Sequence, residues 1–463
     1  MNLKTILIIL AAGLSSFLAN YMAASVNLAL KTIGLELTAN PAELSLVPSV
    51  YLLGTSLFLI PLGKISDAYG AKRILLGGCG FFVLVSIMIS FFAQDFISLL
   101  VFRGLQGVAA AFVHVSHIPI VISNVPKEYR ATSLGILSAL AFFGSTTGNF
   151  LGGLITEFWG WRSIFSSAAI GGFLAFIIVF FAVPSEKKGK DAVHQSVLAT
   201  FDFRGMFIYA AALILLQVGA QNLDNKFSFF ILLLAVLALA AFVRRQGTLD
   251  NPIYDVKLFK TNKIFAISNV CVFFSFLGTY GCSYLAALYL QLNRGLSPLE
   301  AGAVLFIQPG IQIVFAPLGG FLADKTTPLF IATLGMSLVS VGYIILSCLT
   351  TDTAFMLVYA ALMFVGIGVS FFASPNTTIL MSSISESKKG LASASLSVMR
   401  NFGMQFSMIF CGAMFMISLG DIKGISPESY GQMLTVIRAC YMVFATTAIS
   451  TVFLLLLSRR YKR

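Results

Sequence analysis

Charge is scarce in this chain. Of 463 residues, 18 are Asp or Glu and 3 are His, and charged residues of both signs make up 10% of the total. A water-soluble domain of this length carries about a quarter of its residues as Asp, Glu, Lys or Arg. The six cysteines show no CxxC spacing and no His partner, so no disulfide framework or metal site is expected and they are read as small apolar packing residues. No phosphate-loop pattern is present either. Gly63-Lys64 and Gly189-Lys190 lack its glycine spacing, which argues against an ATP-driven pump. No convergent nucleophile-base set can be found, so the chain is not expected to be an enzyme and no cofactor is implied.

What is abundant is apolar. Hydrophobic residues make up 58% of the chain, 44 of them Phe, and the mean hydropathy is +0.92. The apolar residues come in runs of about 20, the length a helix needs to cross the hydrocarbon core. Backbone groups in lipid must be satisfied within the segment, and the runs lack the alternation of barrel strands, so the spanning elements are expected to be helices. Fourteen are read, roughly at 5–28, 44–62, 74–93, 97–121, 132–155, 163–183, 203–221, 227–243, 264–289, 300–322, 329–349, 353–376, 391–417 and 433–457. The first, too long for the apolar part of a cleaved signal, is taken as a true span.

The formal net charge of +12 is a topology signal rather than a nucleic-acid footprint. Of the 30 Lys and Arg, Lys31, Arg162, Lys226, Arg294 and Lys423 alone fall in loops on one side. Arg103, Arg400 and Arg438 lie in or near spans, and all others fall on the side of the two termini. That bias places both termini in the cytoplasm of a multi-pass cell-membrane protein.

Two long polar breaks, Pro184 to Thr200 and Arg244 to Lys263, divide the chain. The expected domains are residues 1–183 (six helices), 184–263 (linkers and an inserted helix pair) and 264–463 (six helices). An internal echo fits this division: a Gly four residues before an Asp ends the second helix (Gly63, Asp67) and the tenth (Gly320, Asp324). Two similar bundles about a midplane cavity form a transporter plan.

Several motifs resemble those of the major facilitator superfamily. Gly63-Lys64-Ile65-Ser66-Asp67-Ala68-Tyr69-Gly70-Ala71-Lys72-Arg73 is similar to its cytoplasmic signature between the second and third helices. The resemblance implies a conformational gate made by Gly63, Asp67, Gly70, Lys72 and Arg73, with Asp324 as the counterpart. Arg103-Gly104-Leu105-Gln106-Gly107 looks like the family's fourth-helix motif. Gly135, Gly144, Gly148, Gly152 and Gly153 resemble the fifth-helix motif of drug-exporting antiporters, with Asn149 where the family has proline. Trp161, Arg162, Phe165, Phe201-Asp202-Phe203-Arg204-Gly205 and Lys257-Leu258-Phe259 are similar to the fourteen-helix drug:proton antiporter branch. In the first helix Met22 stands where relatives often have an aspartate, and no Asp or Glu lies clearly inside a span.

The fold class implied is an all-α membrane protein of about fourteen helices, two six-helix bundles plus an inserted pair. The function implied is proton-coupled efflux of drugs or other small organic molecules by alternating access. A carrier of a neutral or anionic metabolite is the alternative, and a membrane-embedded enzyme or receptor a distant one. Expected partners are a small-molecule substrate, protons and the lipid bilayer, with no nucleic acid, and the expected state is a monomer. Candidate substrate or proton-pathway residues are Asn20, Asn27, Arg103, Gln106, His114, His117, Asn149, Gln308 and Gln312. Intramembrane ionisable groups are functional by default, and His titrates near neutral pH. The glycines at 144, 148 and 152 fall on one helix face, where another helix can pack closely.

Overall fold

The computed structural model describes residues 3–126, 129–184, 201–223, 225–249, 252–385, 389–420 and 427–459. The break from Pro184 to Thr200 falls almost wholly outside them. The helices are α1 (Leu3–Glu36), α2 (Pro41–Leu44), α3 (Leu46–Tyr69), α4 (Ala71–Phe92), α5 (Phe96–Asn124), α6 (Arg130–Trp159), α7 (Arg162–Ala182), α8 (Phe203–Gln221) and α9 (Phe227–Thr248). They continue as α10 (Val256–Thr261), α11 (Lys263–Leu288), α12 (Pro298–Leu305), α13 (Ile307–Lys325), α14 (Pro328–Ser347), α15 (Phe355–Ser382), α16 (Lys389–Leu419) and α17 (Tyr430–Ser458). No strand occurs among the described residues, and fourteen helical segments are long and apolar enough to cross a membrane. Short α2 and α12 run into α3 and α13, so each pair makes one span.

Helix ends follow local chemistry. Asn40 with Glu43, Asp95 with Ser98 and Ser297 with Glu300 form capping boxes, each satisfying two otherwise unpaired backbone donors. Gly70 ends α3 at φ 92° and Gly160 ends α6 at φ 78°, a region that costs residues with a Cβ. Cys348 follows the last residue of α14 and is exposed, so of the six cysteines it is the one that does not pack in the interior.

The two halves repeat one packing scheme. In the first, α1 packs on α5, α6 and α7, α4 on α5 and α7, and α3 on α5. In the second, α11 packs on α15, α16 and α17, α14 on α15 and α17, and α13 on α15. Each pairing has its counterpart ten labels later, the structural form of the Gly–Asp echo. The inserted α8 and α9 pack on each other, and α8 touches both α3 and α16. Tyr209 donates to the Ser56 carbonyl at 2.9 Å, Ser49 to Gln217 at 2.7 Å and Gln221 to Ser45 at 3.3 Å. The insert thus lies along one seam between the halves.

Its base is fixed by Asp202, whose side chain is 5% exposed. The carboxylate accepts from Arg245 Nη2 at 2.6 Å, Gln246 Nε2 at 2.9 Å and the Gly205 N–H at 2.9 Å. Burial alone would raise the Asp202 carboxyl, but Arg245, Gly205 and Gln246 together hold it below the usual carboxylate range. A depressed folded-state value means the stabilisation is present above the unfolded value and lost as pH falls through the folded one. Asp202→Asn is therefore expected to melt at a lower temperature than the parent at pH 7. The gap should begin to narrow near about pH 4, the unfolded carboxyl's value, and close once the pH is below the lower folded-state one. Melting curves across pH check this, and a gap that persists in acid would assign the effect to shape rather than charge.

Candidate functional site

The face that carries the two termini and the face opposite it differ. On the far face the halves are in contact. Lys31 donates to the Gln291 carbonyl at 2.9 Å, Asn149 to the Leu305 carbonyl at 3.0 Å, and Glu157 accepts from the Leu299 N–H at 3.0 Å. Gln291 lies in a π-helical turn, Tyr289–Asn293, that continues α11. Gly153 and Gly302 allow α6 and α12 to touch: a Cβ on Gly153 would sit 2.3 Å from the Pro298 carbonyl oxygen. Glu36 pairs with Arg162 and accepts from Trp161 at 2.7 Å, joining the far ends of α1 and α7.

The glycine face of α6 packs on α1. A Cβ on Gly144, Gly148 or Gly152 would lie 2.3 Å from the Phe17 oxygen, 2.6 Å from the Tyr21 oxygen and 2.6 Å from Ser25 Cα, respectively. Gly135 departs from the expectation, because it faces open space with nothing within 4 Å.

Arg103 is fully buried and held without a carboxylate. Its Nε donates to the Val47 carbonyl at 3.3 Å and its Nη1 to Gln106 Oε1 at 2.5 Å, while Gln106 donates to Ser86 at 2.8 Å. The guanidinium lies over the Tyr51 ring at 4.4 Å. Among the described residues Nη2 has no partner, and neither do the hydroxyls of Tyr51 and Tyr280. Tyr280, on α11 of the other half, lies within electrostatic reach of Arg103.

Further along α5 stand His114 and His117, half-buried, with ring centroids 6.2 Å apart. His117 Nδ1 lies 2.9 Å from the Val113 carbonyl, so Nδ1–H donates and Nε2 carries the free lone pair of the neutral ring. Arg400, on α16, lies within electrostatic reach of both. At 1.5 Å per residue the three sit about 10–17 Å from the helix ends on the termini-bearing face, whereas Arg103 lies about 16 Å beyond His114. The structure therefore places the histidines within electrostatic reach of Arg400 and apart from Arg103 and Gln106.

The remaining candidates divide. Asn20 is half-exposed and donates to the Ser16 carbonyl at 2.8 Å. Asn27, Gln308 and Gln312 are buried. Asn149, expected on the pathway, is instead buried in the α6–α12 contact, because its amide is used on Leu305. Of the gate set, Asp67's side chain lies outside the described residues, a Cβ on Gly63 would meet nothing within 4 Å, and Arg73 and Asp324 are exposed. Lys72 donates to the Phe180 and Val183 carbonyls at 3.0 and 2.5 Å, capping α7 within its own half. No described gate residue bridges the halves.

Residues 10–408 match the family described as Major Facilitator Superfamily. The chain is 26% identical over 414 residues to the riboflavin transporter RibZ of Clostridioides difficile, covering 89% of this chain and 88% of that one. It is 28% identical over 424 residues to the multidrug resistance protein Stp of Mycobacterium tuberculosis, covering 89% and 76%. Among solved structures, a bacterial homolog of the human lysosomal transporter Spinster, inward-facing and unoccupied, aligns with a TM-score of 0.69 at 17% identity, covering 99% of this chain and 98% of that one.

Proposed function

The chain belongs to the major facilitator superfamily, and from that premise we propose that it exports small organic molecules from the cell by alternating access, driven by inward proton flow. It is a transport protein of many membrane-spanning helices. The observation that carries the reading is the asymmetry between the two faces. The far face is sealed by Lys31, Asn149 and Glu157, while on the termini-bearing face an arginine deep within α16 remains exposed. With the termini in the cytoplasm, as the loop charges favour, this is the state that collects substrate from the cell interior. A relative bearing the name multidrug resistance protein supports efflux, and one bearing the name riboflavin transporter supports a single-metabolite variant of the same cycle. The protein would act as a monomer in the cell membrane.

Met22 leaves the first helix without an acid short of its end at Glu36, so proton coupling falls to the imidazoles of His114 and His117, within electrostatic reach of Arg400. Purified protein in liposomes under an imposed pH gradient tests this. The parent is expected to drive substrate accumulation that a protonophore collapses. The double variant His114→Gln/His117→Gln is expected to lose driven accumulation and keep substrate exchange. Driven accumulation at the parent level in the double variant would remove the histidines from coupling, and a parent indifferent to the gradient would sink proton coupling itself.

A further inference from the structure

Arg400 is unlike the other arginines of the helical interior. Arg103 spends its guanidinium on a carbonyl, an amide and a ring, and Arg438 donates to the Ser347 carbonyl at 3.1 Å. Arg400 makes no hydrogen bond and no ion pair among the described residues, and its guanidinium carbon packs 4.9 Å from the centre of the Phe276 ring of α11. Its side chain is exposed, although it stands about 16 Å along α16 from the helix start at Lys389. An exposed, unpaired guanidinium that far from the helix end is available to a ligand. From the other half, the histidines of α5 lie within electrostatic reach of it, adding polar but no acidic groups. Among the described residues, acids on the spans sit at helix ends, as Glu36, Glu157, Glu300 and Asp324 do.

A cation in a membrane interior needs a partner, and this one lacks a protein carboxylate. We propose that Arg400, stacked on Phe276 and with His114 and His117 of the other half nearby, is the recognition point for the anionic group of a planar aromatic substrate. The guanidinium fork suits a carboxylate or similar oxyanion in two-pronged contact, and the Phe276 ring beside it offers a stacking surface for the aromatic body. Because the cation belongs to one half and the imidazoles to the other, a molecule seated between them touches both moving parts. That is where a substrate must bind to bias their relative position. The inference rests on the transport reading and narrows it to organic anions. Such a substrate would also be pushed outward by an inside-negative membrane potential.

The test is equilibrium binding to the full chain in nanodiscs of zwitterionic lipid, so that no anionic headgroup competes, using 2-naphthoate, 2-naphthamide and 2-naphthylmethylammonium. The parent is expected to bind the carboxylate at least tenfold more tightly than the amide, with the ammonium weakest. Arg400→Gln should lose that preference, Arg400→Lys should keep part of it, and Arg459→Gln, exposed after the end of α17, should leave it intact. Equal binding of acid and amide, preference for the ammonium, no binding of the acid up to millimolar concentration, or an unchanged preference in a folded Arg400→Gln would each overturn the proposal. Adding phosphatidylglycerol separates sources: if it displaces the naphthoate, the site belongs to a lipid headgroup and the substrate assignment fails. Selective anion binding without gradient-driven transport would uphold Arg400 while rejecting proton-coupled export.

Discussion

Replacing Gly148 with leucine is expected to leave little folded protein. Its first added atom would already stand 2.6 Å from the Tyr21 carbonyl oxygen, 3.0 Å from Ala24 Cβ and 3.1 Å from Tyr21 Cα. Two of those three neighbours are backbone of α1, which cannot swing aside as a long side chain can, so the helices must separate. Separation would also pull Ser25 Oγ from the Gly148 carbonyl, which it now reaches at 3.0 Å. Overpacking of a tight core costs about 1–3 kcal/mol and sometimes more, and leucine adds three further carbons beyond that first atom. Gly135→Leu is the matched control on the same helix, because nothing lies within 4 Å of that Cβ position. Fluorescence-detected size exclusion and melting temperature should show the first variant aggregated or strongly destabilised and the second close to the parent. A Gly148→Leu protein that melts like the parent would mean that α1 and α6 are not in this contact.

The second large effect is expected at Arg103. Arg103→Met keeps much of the side chain's length and removes its charge and its donors, leaving Gln106 Oε1 and the Val47 carbonyl without their partner. Hydrogen bonds to a charged group contribute about 1.5–3 kcal/mol each, so stability should fall measurably. Transport should fall further, by about tenfold or more, since the α3–α5 register that Arg103 fixes lies in a half that must move as one body. Arg103→Lys preserves the charge but not the planar fork and should recover stability better than activity. Parallel measurement of melting and initial transport rate decides the matter. Parent-rate transport in a destabilised Arg103→Met would make the residue a strut with no part in the cycle.

The spans are legible in the sequence because the bilayer imposes a length, and an apolar run of that length has few alternatives. Helix ends are less so. α1 continues to Glu36, well past the apolar run, since Lys31, Thr32 and Gly34 still extend the helix outside the hydrocarbon. The π-helical turn at Tyr289–Asn293 has no sequence signature at all. At the site, His114 and His117 can be paired from their spacing alone, but their nearness to Arg400 relates residues nearly 300 positions apart. The signal available is an arginine in an apolar run with Gln405 behind it. Asn149 is misplaced by its sequence context for a related reason: a buried amide reads the same whether it faces a cavity or a carbonyl 156 residues away.

The far-face closure has a one-sided grammar. Lys31, Asn149 and Glu157 contribute side chains from the first half, and they address the Gln291 carbonyl, the Leu305 carbonyl and the Leu299 N–H of the second. Main-chain atoms are supplied by nearly every amino acid, with proline lacking only the N–H. The side-chain requirement of these three bonds therefore falls on positions 31, 149 and 157 of one half, while residues 291, 299 and 305 take part through backbone atoms. A substitution in the first half can thus remove one of these bonds outright, whereas one at 291, 299 or 305 reaches it only by moving the backbone.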